Sequence, residues 1–587
     1  MTEGSSVSIT GMGIICAIGT DCNEVLSSLR SRRSGIEPVR YLETVHKDIP
    51  VGEVKMSNAD MKRLLHLCPA DEMSRTSLMG AIAIREALSK AGFSDAEALS
   101  GRRVTLISGT TVGNMDITEK YYERMKTDDS LLSLPSSNEC GESTLEMARI
   151  AGLENVRACT VSTACSSALN SIIVGCEMLR RGETDLVIAG GSESLSRFHL
   201  NGFNSLMILD RERCRPFDET RAGLNLGEGA AFVVLERNAL HPLAFIRGYG
   251  NRCDAFHQTA SSPEGEGAFL AMTDALAMAG LCPADIQYVN AHGTGTPNND
   301  LSESKALLRV FGDRIPEVSS TKAFTGHTTS ASGSIETVIC VLAMQNSFTP
   351  ANIGWKTPIP EGIIPTEGRN GVQLTDVMCN SFGFGGNDSS IVLSTGGDGG
   401  VACAPLEKSA EFVQYESVVR STEELPLLRE FISPVESRRM TPLVKAAFLS
   451  ALRALKDAGI ECPDAIISAT SRGMLEVSQN FLDEINANGE QQLKPTLFMM
   501  STHNTVGSSL AVHLKCHGYN ITYSQGDDSL SWAVADARRL LDDGRARSVL
   551  VVSFDECTPA FASLCGRAGR NITAGIYAKS VIFVNKN

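Results

Sequence analysis

The chain has 587 residues, too many for one ordinary hydrophobic core, so about two to four structural units are expected. Hydrophobic residues at 42% and charged residues at 21% describe a globular protein, and no stretch approaches the ~20 apolar residues of a membrane span. The net charge of −15 and a pI near 5.3 lack the basic surface that phosphate binding requires, so no nucleic-acid partner is expected.

The opening run VSITGMGIIC is β-branched, apolar and broken by glycines, the pattern of a buried strand that turns sharply. Helical patterns follow over 23–32 and 74–90, and VTLIS (104–108) reads as a buried strand ending in the small-residue loop GTTVGN. A strand over 155–161 then runs into Ser162, Thr163, Ala164, Cys165, Ser166, Ser167 and Ala168. Beyond it, Leu169, Ile172, Ile173, Cys176 and Leu179 are spaced to line one helix face. A strand over 185–189 closes on AGGSES. Strands that are apolar throughout and alternate with helices indicate a parallel sheet covered on both faces.

A second round starts at AFIRGYG (244–250), with a helix over 267–278, a strand over 286–290 entering AHGTGTPNND, and a helix over 301–311. A glycine- and serine-rich turn in STKAFTGHTTSASGS leads to another helix, and VMCNSFGFGGNDSSIVLS gives two strand-like pieces around a glycine-rich turn. Residues 396–410 are rich in Gly and Ala without a period and read as a linker. The remainder, 411–587, echoes the first half: ISPVESRRMTPLVKAAFLSALRALKDAGI against LCPADEMSRTSLMGAIAIREALSKAGF, AIISATSRG against VTLISGTTVG, and ARSVLVVSFDE against TDLVIAGGSES. In that echo the nucleophile turn is YNITYSQGDDSLSWAV, and Cys165 falls opposite Gln525 or Gly526. The units are therefore 1–250, 251–395 and 411–587, joined by the linker.

A cysteine between a strand end and a helix start lies near free backbone N–H groups and the positive end of the helix dipole. That placement favours the thiolate by ~0.3–1 kcal/mol. Most cysteines in an intracellular enzyme are inert core fillers, so the placement alone does not make Cys165 a nucleophile. The seventeen cysteines lack the spacing of a disulfide scaffold, and neither Cys253 with His257 nor Cys516 with His517 has a second ligand pair at zinc spacing. No metal site is expected. His292 in NAHGTGTP, His327 in KAFTGH and Phe384 in SFGFGG each follow a strand or precede a helix. Together with Cys165 they point to one active site at a sheet edge. A cysteine with two histidines suits carbon–carbon bond formation on thioesters, the thiolate taking the acyl group and the imidazoles holding the enolate formed as a malonyl carboxylate leaves.

Over residues 6–395 the sequence resembles the elongating β-ketoacyl-acyl-carrier-protein synthases of thiolase fold. The likeness rests on TACSSAL around Cys165, CRPFD and LGEGAAFVVLE between Cys214 and Glu236, NAHGTGTP, STKAFTGH and NSFGFGGN. It implies a five-layer αβαβα fold of two pseudo-repeated α/β halves, here followed by a third, truncated half. It also implies a catalytic set of Cys165, His292 and His327, with Lys322 and Glu336 ordering the site. Backbone N–H groups of Cys165 and Phe384 would form the oxyanion hole, Phe384 would gate the acyl chain, Thr294 and Thr296 would bind the phosphopantetheine arm, and Thr111 would line the acyl pocket. Substrates would be malonyl and acyl thioesters on an acyl carrier protein, with no separate cofactor.

The chain departs from that pattern in places. Asn387-Asp388 stands where the family commonly has Thr-Asn, which alters the hydrogen bonding under the loop. ADEMSR (70–75) is acidic where relatives often present basic residues to the carrier, which points docking to another patch or a specialised carrier. The tail resembles the synthase N-terminal-like domains of aryl-polyene and dialkylresorcinol pigment synthases and the inactive chain-length factors, through THNTVGS (502–508) and CHGYN (516–520). The reading is an active ketoacyl synthase joined to a degenerate half, cytoplasmic, in specialised fatty-acid, polyene or polyketide synthesis. It would assemble as a homodimer, or as a pseudo-dimer through its tail. The alternatives are an acyltransferase of the same fold forming C–O or C–N bonds and a non-catalytic chain-length or scaffold subunit.

Overall fold

The computed structural model describes residues 6–93, 99–132, 139–396 and 411–586. Apart from Gly396, the segment read as a linker lies outside them. Fifteen strands form one hydrogen-bonded sheet built from three copies of a five-strand unit. The first unit comprises β1 (Val7–Cys16), α1 (Arg75–Lys90), β2 (Val104–Gly109), α2 (Met115–Met125), α3 (Cys140–Ala151), β3 (Arg157–Val161), α4 (Ser167–Arg180), β4 (Leu186–Glu193), α5 (Arg197–Ser205) and β5 (Gly229–Arg237). The second comprises β6 (Ala244–Cys253), α6 (Glu266–Ala279), β7 (Tyr288–Asn290), α7 (Pro297–Phe311), β8 (Glu317–Ser319), α8 (Ser332–Gln345), β9 (Asp376–Gly383) and β10 (Asn387–Ser394). The tail comprises β11 (Phe412–Val419), α9 (Pro442–Ala458), β12 (Ala465–Ala469), α10 (Leu475–Asn488), α11 (Thr505–Leu514), β13 (Tyr519–Tyr523), α12 (Ser529–Asp542), β14 (Ser548–Cys557), α13 (Pro559–Arg567) and β15 (Gly575–Asn585).

The sheet order is β8-β7-β9-β10-β6-β1-β5-β4-β2-β3-β13-β12-β14-β15-β11. The boundary read at residue 250 falls inside β6, so the second unit opens at Ala244. The sheet is mixed, not parallel as the apolar strands suggested. In the first unit β2 runs parallel to β3 and β4, while β5 is antiparallel to β4 and to β1. An antiparallel strand starts at the end where its predecessor stops, so the chain from β4 through α5 to β5 makes no crossover. The glycines of β1 do not turn the strand, which continues through a single register shift between Ile9 and Gly11. A Cβ at Gly11 or Gly13 would strike the Ala87 or Ala83 carbonyl of α1, so these glycines let the helix lie directly on the strand.

β1 and β6 pair over only three residues, Val7–Ile9 against Ala244–Ile246. Between the two halves lie α4 and α8, which pack on each other and on strands of both. Every residue of α4 from Ser167 to Leu179 is buried, as is every residue of α8 from Ser332 to Met344. The outer helices α1 and α3 cover one side and α6 and α7 the other, completing the five layers.

The tail repeats the first unit and meets it edge to edge. β3 and β13 are antiparallel at Val161 and Tyr523, with Ser162 N–H donating to the Thr522 carbonyl (2.9 Å) and Ser524 N–H to that of Thr160 (2.9 Å). Around this seam Arg539, 2% exposed, bonds both Glu183 oxygens (2.9 and 2.8 Å), Arg181 meets Asp542 (3.1 Å), and Arg545 pairs with Glu177. Among the described residues no helix is long and apolar enough to cross a membrane.

Each unit carries the same tight turn between a strand and its following helix: a 3₁₀ turn at Ala164–Ser166, Thr329–Ala331 and Gly526–Asp528. The first residue is left-handed in all three, with φ of 53° at Ala164, 47° at Thr329 and 52° at Gly526. In the first and third copies, the serine that starts the helix also accepts from the residue before the turn. Thr163 N–H bonds Ser167 Oγ (2.9 Å) and Gln525 N–H bonds Ser529 Oγ (2.8 Å). Cys165 therefore corresponds to Ser330 and to Asp527. The sequence alignment that placed Gln525 or Gly526 opposite it was one or two residues early, because a turn without apolar side chains gives periodicity nothing to register.

Candidate active site

Cys165 lies at the N-terminal end of α4 and is 5% exposed. Its sulfur is 3.1 Å from His327 Nε2, and His327 Nδ1 is 3.0 Å from Ser332 Oγ, the first residue of α8. The His292 ring lies 5.3 Å from that of His327, nearly perpendicular at 83°. Among the described residues, Cys165, His292 and His327 form the only group of three His, Cys, Asp or Glu whose ligating atoms come within 4.8 Å of one another. Lys322 Nζ is 3.4 Å from His292 Nδ1 and 2.5 Å from Glu336 Oε1, with both partners of the pair buried. An ammonium only donates, so His292 Nδ1 accepts and its Nε2–H faces the cavity.

Burial governs the electrostatics here. It pushes the Cys165 thiol up to about 12, against the opposing pull of Lys322 and of a hydrogen bond from the Phe384 backbone N–H. Burial, reinforced by Lys322, holds both His292 and His327 well below the ordinary imidazole range. The resting pair is thus a neutral thiol and a neutral imidazole. The helix dipole's ~0.3–1 kcal/mol favours the thiolate, and desolvation of the buried sulfur works against it. Burial also raises Glu336 to about 7 despite Lys322, and Glu303 to about 7 although its carboxylate accepts from the His292 and Gly293 N–H groups (2.8 and 2.7 Å).

The loop holding Phe384 closes over the sulfur. Ser381 Oγ donates to the Cys165 carbonyl (3.0 Å), and a Cβ on Gly383 would sit 2.7 Å from the Thr163 oxygen and 3.2 Å from the Cys165 nitrogen. Only glycine lets the two backbones approach so closely, and the Phe384 N–H reaches the Cys165 sulfur. The Phe384 ring stacks on Phe203 at 5.8 Å and 25°. A cavity of about 420 Å³ runs outward from Cys165, His292 and His327 past Thr294 and Thr296, whose hydroxyls are 2.9 Å apart at its wall.

On the other side of Phe384, a cavity of about 30 Å³ is lined by Cys165, Thr111, Val112, Phe198, Phe203 and, from the tail, Phe498. A larger space of about 270 Å³ shares Thr111, Val112 and Ser501 with it and lies between α2 and the tail helices α10 and α13. Thr111 itself is held by Glu193, with Oγ1 donating at 2.6 Å and N–H at 2.7 Å.

Cys253 and His257 do not form a ligand pair: the Cys253 sulfur faces the Gly385 carbonyl (3.7 Å), and His257 accepts from the Thr259 and Ala260 N–H groups. In ADEMSR, Glu72 accepts from Tyr121 (2.6 Å), while Arg75 is buried against Glu228 and offers no docking charge. Residue-by-residue reading missed Glu193, Glu303 and Ser332. Aligning the repeated turns would have found Ser332, which matches Ser167; the two carboxylates are visible only once their backbone partners are in place.

Family models described as the β-ketoacyl synthase N-terminal domain match residues 4–241 and again 414–567, and the C-terminal domain model matches 243–356. The chain belongs to the β-ketoacyl synthase family. It is an acyltransferase of the 3-oxoacyl-[acyl-carrier-protein] synthase type. As a β-ketoacyl synthase it is 32% identical over 418 residues to the 3-oxoacyl-[acyl-carrier-protein] synthase 2 of Staphylococcus aureus, covering 67% of this chain and 99% of that protein. It is 34% identical over 412 residues to Nodulation protein E of Rhizobium meliloti, covering 66% and 98%. Among solved structures, the ishigamide ketosynthase/chain length factor matches at 31% identity and a TM-score of 0.62, over 67% of this chain and all of that one. The PfaC keto synthase–chain length factor matches 99% of this chain and 78% of its own at a TM-score of 0.80 and 16% identity, so there the likeness is of fold.

Proposed function

We propose that this synthase condenses an acyl group on Cys165 with a malonyl group on an acyl carrier protein, and that its tail stands where a second subunit would, as a non-catalytic pseudo-partner limiting chain length. The observation that carries the reading is the 3.1 Å approach of Cys165 Sγ to His327 Nε2 with His292 Nε2–H facing the same cavity.

In the first step the thiol proton passes to His327 as sulfur attacks the acyl thioester. The oxyanion is held by the Cys165 and Phe384 N–H groups, and the carrier thiolate leaves with that proton. The Ser332 hydroxyl can accept from or donate to His327 Nδ1, so His327 can then present Nε2–H. In the second step the malonyl carboxylate leaves as CO₂ and its bonding electrons form an enolate, whose oxygen is held by Nε2–H of His292 and His327. The enolate carbon attacks the acyl carbonyl, the Cys165 thiolate departs and takes up one proton, and a chain two carbons longer remains on the carrier. Lys322 and Glu336 fix the His292 tautomer. Thr294 and Thr296, at the wall of the outer cavity, suit a phosphopantetheine arm, and Phe384 suits a gate between the outer and inner cavities.

Supporting the tail's role are its edge-to-edge seam with β3 and its contribution of Phe498 and Ser501 to the inner cavities. The fold of the PfaC keto synthase–chain length factor, which covers 99% of this chain, is consistent with that arrangement. The test is condensation by the purified protein with acyl and malonyl carrier protein, read as β-ketoacyl product and released CO₂. Product formation that survives Cys165→Ala would overturn the reading.

A further inference from the structure

Asn387, one of the departures from the family pattern, lies under the gate loop and faces the tail. Asn504, in the tail's THNTVGS stretch, is 1% exposed, and its amide nitrogen donates to the Phe384 carbonyl (2.8 Å) and to Asn387 Oδ1 (2.7 Å). Asn387 Nδ2 in turn donates to the Asn520 side-chain and backbone oxygens (3.0 and 3.1 Å), in the tail's CHGYN stretch. Asn520 N–H donates to Asn251 Oδ1 (2.9 Å), and Asn251 Nδ2 donates to the Asn520 carbonyl (3.1 Å) and to Asn170 Oδ1 (2.8 Å). Asn170 Nδ2 ends the chain on Thr163 Oγ1 (2.9 Å) and Ser166 Oγ (3.3 Å), the residues flanking Ala164 and Cys165.

We infer that Asn504 is a positioning residue for the oxyanion hole, fixing Phe384 from the tail through an amide network whose other end braces the Cys165 turn. This rests on the condensing role proposed above. Phe384 is followed by two glycines at φ of 85° and 76°, so the loop has little rigidity of its own. Its support comes from outside: Asn504 on the Phe384 carbonyl, and Gly385 N–H donating to the Gln258 carbonyl (2.7 Å), with Gln258 itself tied to Ser509 of the tail (2.8 Å). A Cβ on Gly385 would collide with Ser508, so the tail also bounds the loop sterically. Both hydrogens of each of the four amides, on Asn504, Asn387, Asn251 and Asn170, are spent within the network. Asn504 Oδ1 is buried without a partner among the described residues, so Asn504 is held through its donors alone, and losing it leaves the buried Phe384 carbonyl and Asn387 Oδ1 unmet.

The two half-reactions separate this role from general support of the fold. Acylation of Cys165 uses the Cys165 and Phe384 N–H groups, whereas decarboxylation of malonyl carrier protein without an acyl primer uses His292 and His327. In Asn504→Ala and in the size-preserving Asn504→Asp, which presents an acceptor to the Phe384 carbonyl, acylation measured by intact-protein mass spectrometry should slow by about 10-fold to 100-fold. Primer-independent decarboxylation should be unchanged. Equal loss of both half-reactions in either variant, or unaltered acylation in one that melts like the unmodified protein, would overturn the inference. Failure of the unmodified protein to condense would instead defeat the condensing reading, so the two failures are read on different proteins.

Discussion

Cys165 and Asp527 occupy the same position in two copies of one turn, yet one is buried beside two imidazoles and the other is exposed. The difference lies in what covers each turn. Cys165 sits under the second unit's His292, His327 and Phe384 loops. Asp527 opens on a cavity of about 680 Å³ lined by Glu139, Arg472, Arg570 and Trp532.

A cysteine at the second position should therefore stay inert as an acyl acceptor. In Cys165→Ala carrying Asp527→Cys, incubation with acyl carrier protein thioester should give no adduct on residue 527 by peptide mass spectrometry. An acylated 527 peptide would show that the turn and helix end suffice without the histidine loops.

The reactivity of Cys165 should follow its raised pKa. With the thiol near 12, the thiolate fraction grows about tenfold per pH unit throughout the neutral range, so iodoacetamide labelling of Cys165 should climb from pH 6 to 9 without levelling. Cys462, exposed and lowered by the neighbouring Cys516, should label ahead of Cys165 at neutral pH. A plateau for Cys165 below pH 7 would mean a preformed thiolate–imidazolium pair and contradict the neutral resting state.

Lys322 and Glu336 form a buried pair, and breaking one costs more than removing both. Lys322→Met should cost ~3–5 kcal/mol in denaturant unfolding, and Lys322→Met with Glu336→Leu should recover part of it. The single variant should weaken further as pH rises. Without Lys322 to oppose burial, the Glu336 carboxyl rises above about 7; it binds more protons folded than unfolded, so stability is lost as pH climbs from the ordinary carboxyl range through that raised value. A double variant no more stable than the single would mean that the pair is not the source of the loss.

Phe498 walls the small cavity at Cys165 from the tail side and packs edge-on to Phe203 at 5.2 Å and 61°. Phe498→Ala should join that cavity to the larger one beyond Thr111 and Ser501. Competitive loading should then shift toward longer acyl chains, with a stability loss of ~3–5 kcal/mol. An unchanged loading profile in a folded variant would separate the tail from chain-length control.

The sequence alone picked out the residues that the fold brings together around Cys165. The small-residue turn around Cys165 and the glycine-bounded His292, His327 and Phe384 are local patterns, because tight turns restrict which residues fit them. The repeat in the tail was also legible, since helix and strand periodicity survives the loss of a nucleophile. The tertiary structure decided how these loops work together. The Cys165 pKa depends on burial by segments more than a hundred residues away, which no local pattern encodes. The mixed sheet follows from where connections run, and the match of Cys165 to Asp527 follows from backbone geometry rather than side-chain period. The Asn504 link to Phe384 spans 120 positions and two structural units, and a lone asparagine carries no periodicity that could announce it.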